Sequence, residues 1–170
     1  RTAVLERLAA EPQAGRILVR LNAPATPAGL ADLAALTAAE PPLCAGLILP
    51  KAESPGVIAA VTAALTAAGR PLPLAPLIES GAGLRRAAEI AKAPSVIALA
   101  LGPLDLGAEL GVRIEGQALD AVRLALRLAA AEAGVQLWDG PSGELDDMEA
   151  VARDAAAGAA LGCAGKLCIH

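Results

Sequence analysis

Six short apolar runs punctuate this chain, and each stops abruptly at polar or charged residues: RILVRLN, GLILPKAES, PLAPLIES, VIALALGPLD, GVQLWDG and GKLCIH. Runs without polar alternation read as strands buried on both faces, as in parallel sheets covered by helices. The stretches between them have helical spacing. Pro27 after Thr26 opens a helix over 26–39, and Ser54 followed by Pro55 starts another that stops at Gly69. Further helices are predicted over 81–92, 116–133 and 146–161, with a leading helix over 2–10.

This alternation of strand and helix implies parallel strands joined by right-handed crossovers. A closed barrel and an open doubly wound sheet both fit. The nucleotide-binding form of the open sheet carries GxGxxG after its first strand, and that string is absent. Open sheets also gather their ligands at one switch point, whereas every run here ends in polar groups. The α/β class expected is therefore the (β/α)8 TIM barrel, with residues 1–170 as one domain holding six strand-helix units. A complete barrel takes about 250 residues. An opening strand, helix and strand and a closing helix are accordingly expected to lie outside the 170 residues.

Composition narrows the partners. The chain is 55% hydrophobic with one Trp, no Phe and no Tyr, and its net charge is -4. It offers neither aromatic stacking platforms nor a basic face, so nucleic acid is not expected as a partner. No apolar stretch approaches the roughly 20 residues of a bilayer span, and no membrane association is expected. Residues 1–12 lack the uninterrupted apolar core of a secretory signal, and the three cysteines form no CxxC pair. A reducing, cytoplasmic location is the expectation.

The chemistry is concentrated where the runs stop. Of 14 basic and 18 acidic side chains and one histidine, seven fall at equivalent points: Arg20, Lys51, Glu53, Glu79, Asp105, Asp139 and His170. In a barrel these ends converge on one mouth. Glu79 and Asp105 supply the one or two carboxylates that magnesium ordinarily takes, although either could instead cap a helix. Arg20, in an apolar strand, needs an anion, either a substrate carboxylate or an acid such as Glu53 or Glu79. Lys51 could form a Schiff base, but an ion pair with Glu53 or Asp105 that orders the mouth is the stronger reading. Glu53 is a candidate for orienting metal-bound water.

Asp139 either stabilises the turn through Ser142 or contacts substrate. Gly81 and Gly83 either present amides to an anion or only make a tight turn. His170, the lone histidine and the last residue, could serve as a base or hold a structural role. Cys163, Cys168 and His170 have a zinc-like spacing but no fourth ligand, and Cys44 and Cys168 read as small buried apolar residues.

The strings VRLNAP, LILPKAES, PLIES-GAG, ALALGPLDLGAELG, DGP and GKLCIH, in this order, resemble the HpcH/HpaI aldolase and citrate lyase beta-subunit superfamily, in particular its CitE-like members. The resemblance covers residues 16–170. It implies a (β/α)8 barrel, a divalent cation (magnesium, with manganese as the alternative) and a carbon-carbon lyase acting beside a carboxylate. By the same resemblance Glu79 and Asp105 hold the metal, and Arg20 binds the carboxylate and carbonyl oxygens of a small 2-keto or 2-hydroxy dicarboxylate. Arg20, Glu79 and Asp105 are then the catalytic set, with Lys51, Glu53, Gly81 and Asp139 beside Arg20 as substrate-binding candidates. CoA enters as part of a thioester substrate, and a homo-oligomer, trimer or hexamer, is expected by analogy. Two other functions stay open: a CoA-thioester hydrolase using the same metal site, and a non-catalytic or fragmentary barrel that binds a ligand or a partner.

Overall fold

The computed structural model describes residues 2–39, 44–143 and 146–169. Among them six strands, all parallel, pair in sequence order: β1 (Leu18–Arg20), β2 (Gly46–Leu49), β3 (Leu74–Ile78), β4 (Ala98–Leu101), β5 (Gln136–Asp139) and β6 (Gly165–Lys166). A doubly wound sheet reverses its strand order at a switch point, whereas here each strand lies beside its successor. Right-handed crossovers in one unbroken sense place the helices on one side and curl the sheet. Among the described residues the result is a half-barrel of six strands.

The helices are α1 (Thr2–Ala9), α2 (Pro27–Ala38), α3 (Pro55–Ala67), α4 (Gly81–Arg85), α5 (Ala87–Ala91), α6 (Pro103–Leu110), α7 (Gly116–Ala133) and α8 (Met148–Ala160). A 3-10 turn, Ala14–Arg16, leads into β1. Their starts follow from side-chain capping. Thr26 accepts from the Gly29 amide at 3.1 Å, Ser80 from Gly83 at 3.1 Å and Asp147 from Ala150 at 2.9 Å, while Pro27 and Pro55 occupy first-turn positions where no amide is missed.

Within the VIALALGPLD run only Ala98–Leu101 is strand, because its polar end opens α6. Pro103 stands in its first turn, and Gly111, at φ +67°, ends it in the left-handed conformation. The single helix expected over 81–92 is two, since Arg86, at φ -106° and ψ 12°, departs from helical geometry between α4 and α5.

Side chains alternate across each strand, so parity decides what faces the helices. Leu47 and Leu49 of β2, Leu74 and Ile78 of β3, and Leu99 and Leu101 of β4 join Ile58, Leu65, Ile90 and Leu126 in the core between sheet and helices. Burying each such side chain contributes about 1.5–3 kcal/mol. The opposite parity holds Ala75, Ala98 and Ala100 together with Ile48, Leu77 and Trp138, and at its carboxyl ends Arg20 and Glu79. That concave side is where the candidate site forms.

Candidate functional site

Glu79 follows β3 on the concave side and is only 3% exposed. It does not cap α4; that role belongs to Ser80. Its carboxylate accepts the Lys51 amide at 2.9 Å and lies 4.0 Å from the Arg20 guanidinium. The room it occupies exists because residue 102 is glycine: a Cβ there would come within 2.6 Å of the Glu79 Cβ and 2.9 Å of Oε2. Burial raises the Glu79 carboxyl above the ordinary glutamate value. The Lys51 amide and ammonium and the Arg20 charge oppose that rise, while the neighbouring Asp105 charge adds to it.

Asp105, in the first turn of α6, is half exposed and does not cap it. Its carboxylate pairs with the Lys51 ammonium at 3.2 Å. Lys51 adopts φ +52°, a left-handed conformation that is uncommon for a residue with a side chain. Lys51 therefore touches both acids, its main chain on Glu79 and its ammonium on Asp105. Arg20, Lys51, Glu79 and Asp105 line one cleft of about 380 Å³ with Asn22 and Pro50.

Arg20 ends β1 and is 59% exposed, so its placement is not the burial problem that its apolar strand suggested. Its acid is Glu79, through a loose contact at the rim. The loop that follows is fastened by Asp32 of α2, whose carboxylate accepts from the Asn22 amide at 2.9 Å and the Asn22 side chain at 2.7 Å. The sequence reading missed this tie.

Other candidates lie elsewhere. Glu53 is exposed, its carbonyl accepts from Arg86 at 3.1 Å, and Lys51 pairs with Asp105 instead of with it. The Gly81 amide donates to the Glu109 carboxylate at 3.0 Å and is thus engaged within the chain. Cys44 is buried as expected, but Cys168 is exposed. His170 lies outside the described residues.

Asp139 requires the largest correction. It shares the parity of Leu137, which is fully buried in the core on the helix side. Its carboxylate, 2% exposed, accepts from Arg123 of α7 at 2.9 and 2.6 Å and from Lys166 of β6 at 2.8 Å. Arg123 and Lys166 also hold Asp154 of α8, at 2.5 and 2.7 Å. Asp139 is thus the centre of a buried ionic joint on the helix side of the sheet. Burial alone would depress the Arg123 guanidinium, but its hydrogen bonds to Asp139 and Asp154 raise it.

The cleft contains two carboxylates, one buried and one half exposed, facing two cations. Hard divalent cations with oxygen ligands are satisfied by one or two carboxylates when waters and ligand oxygens complete the shell. Glu79 and Asp105 fit that requirement. Among the described residues no group of three or more His, Cys, Asp or Glu side chains is placed to hold a metal, so such a shell would draw its remaining oxygens from water and ligand. Nor, among the described residues, is any helix long and apolar enough to cross a membrane.

Comparison with known proteins finds relatives along nearly the whole chain. A citrate lyase subunit beta-like protein of Deinococcus radiodurans is 35% identical over 170 residues, 99% of this chain and 58% of that protein. A (3S)-malyl-CoA thioesterase of Cereibacter sphaeroides is 33% identical over 155 residues, 90% of this chain and 52% of that protein. The chain thus spans slightly more than half the length of these relatives. Among solved structures, the citrate lyase beta subunit of M. tuberculosis complexed with oxaloacetate and magnesium superposes with a TM-score of 0.74 at 31% identity, covering 90% of this chain and 67% of that one. A CitE structure from Mycobacterium tuberculosis with magnesium, acetoacetate and coenzyme A gives 0.77 at 29% identity, covering 90% and 56%. The HpcH/HpaI aldolase/citrate lyase family model matches residues 2–170, and the chain belongs to that family.

Proposed function

We propose that this chain carries the acid-binding and metal-binding side of a carbon-carbon lyase, acting on a small 2-keto or 2-hydroxy dicarboxylate or its CoA thioester. The observation that carries the reading is the convergence of Arg20, Lys51, Glu79 and Asp105 on one cleft at the strand ends. Glu79 and Asp105 would hold magnesium, whose bound form polarises a carbonyl and stabilises negative charge developing on oxygen. The Arg20 guanidinium, exposed at the rim and only loosely held by Glu79, presents a planar fork suited to a carboxylate. Lys51 adds a second cation on the same side, so an acid entering the cleft is held at its anionic end. Charge that develops in an enolate is then met by fixed cations instead of by water. The magnesium, oxaloacetate, acetoacetate and coenzyme A bound by the M. tuberculosis proteins support this assignment.

A second reading, hydrolysis of the CoA thioester at the same site, is favoured by one observation, the 33% identity to a malyl-CoA thioesterase. Products separate the two. Incubation with (3S)-malyl-CoA and magnesium yields acetyl-CoA and glyoxylate from a lyase, but free CoA and malate from a hydrolase. Calorimetric titration of magnesium with oxaloacetate tests the site itself. Wild type is expected to bind and Asp105→Ala to lose binding by tenfold or more, on the order of a lost charged ligand; equal binding by both would overturn the assignment.

A further inference from the structure

One residue in the cleft already engages both acids. Lys51 places its ammonium 3.2 Å from the Asp105 carboxylate while its own amide is 2.9 Å from Glu79. Its φ of +52° keeps the residue in an uncommon conformation that permits both contacts at once. With Arg20 near Glu79, the two acids are matched by two cations, and the cleft is formally neutral. A divalent cation arriving alone would leave the cluster with an excess of two positive charges. A dicarboxylate arriving with it restores neutrality.

We propose that Lys51 is the resident counter-cation of the acid pair, and that its ammonium exchanges Asp105 for a carboxylate of the incoming dicarboxylate, so that metal and dianion bind as a linked pair. This deepens the proposed metal site and rests on it. The amide contact with Glu79 needs no change during the exchange, because it belongs to the main chain, and only the long, half-exposed side chain moves. Lys51 therefore acts through Asp105 on the metal and directly on the anion. Linkage makes the effect reciprocal: whatever oxaloacetate does to metal affinity, the metal does to oxaloacetate affinity.

The test counts bound Mn2+ by electron paramagnetic resonance, with and without oxaloacetate, at matched free metal concentrations. In wild type, oxaloacetate is expected to tighten Mn2+ binding about tenfold, within the usual range of coupling between sites. Lys51→Met removes the competing ammonium, so Mn2+ alone is expected to bind about twofold to fivefold more tightly, the scale of a half-exposed ion pair. The gain from oxaloacetate should shrink correspondingly. Lys51→Gln, differently shaped and equally uncharged, should shift in the same direction, and Lys51→Arg should retain the wild-type coupling. A purely structural lysine would change neither the metal-only affinity nor the coupling ratio in this pattern. If folded Lys51→Met and Lys51→Gln bind Mn2+ as wild type does and keep the same gain, the exchange is refuted while the metal site stands. If wild type binds no Mn2+ even with oxaloacetate, the metal site fails and the exchange with it.

Discussion

Glu79 and Gly102 form a complementary pair: the buried carboxylate occupies the space that any side chain at 102 would need, with 2.6 Å between the Glu79 Cβ and a Cβ placed there. The acid most enclosed in the cleft is thus positioned by an absence at the junction between β4 and α6. Gly102→Ala is expected to push Glu79 out of place at a cost of about 1–3 kcal/mol, the usual range for overpacking. Magnesium affinity should fall with it. Urea unfolding and magnesium titration check both, with Gly15→Ala as control, since a Cβ at 15 meets nothing within 4 Å.

The Arg123–Asp139 pair is buried on both sides, each partner 2% exposed. Removing Arg123 leaves the buried Asp139 carboxylate with Lys166 as its one remaining cation among these contacts. Arg123→Met is expected to lower unfolding free energy by about 3–5 kcal/mol. Equilibrium urea denaturation measures it. A loss below about 1 kcal/mol would show that Lys166 alone suffices for Asp139.

Asp154 gives the same joint a pH dependence. Burial by itself would raise its carboxyl, but the hydrogen bonds from Lys166 and Arg123 outweigh burial and hold it below the ordinary aspartate value. A carboxyl depressed in the folded state contributes stability above its unfolded pKa, about 3.9, and loses that contribution as pH falls toward the folded value. Stability should therefore decline on acidification below about pH 4–5. Asp154→Asn should show a shallower decline than wild type in denaturant midpoints measured across that range.

Parity explains both what the sequence disclosed and what it hid. The six apolar runs announced the strands, and Thr26-Pro27 and Ser54-Pro55 announced α2 and α3, because these signals are local. The residues Arg20, Lys51, Glu79 and Asp105 were also visible as polar stops at strand ends, and they do meet in one cleft. Asp139 looked equivalent to them and is not, since it is in step with Leu137 and so faces the helices. Counting odd and even positions back along QLWD would have given that answer. Arg123 carried a readable signal as well, a charge three and seven residues before Leu126 and Ala130 on a helix face that packs inward. Its partners Asp139 and Asp154 come from β5 and α8, and Lys166 of β6 joins the same two acids, a meeting that only the tertiary structure decides. The pairing of Lys51 with Asp105 in place of Glu53 likewise depends on α6, whose start was hidden within an apolar run.

Several strand-to-helix junctions carry their own caps: Thr26, Ser80 and Asp147 each satisfy an amide of the helix they begin. None of those junctions borrows an acid from the cleft to hold its shape. Rim residues can accordingly be exchanged one at a time without unravelling the helix behind them, which makes this architecture permissive toward new substrates. Diversification of its chemistry would proceed unit by unit, on a frame that stays put.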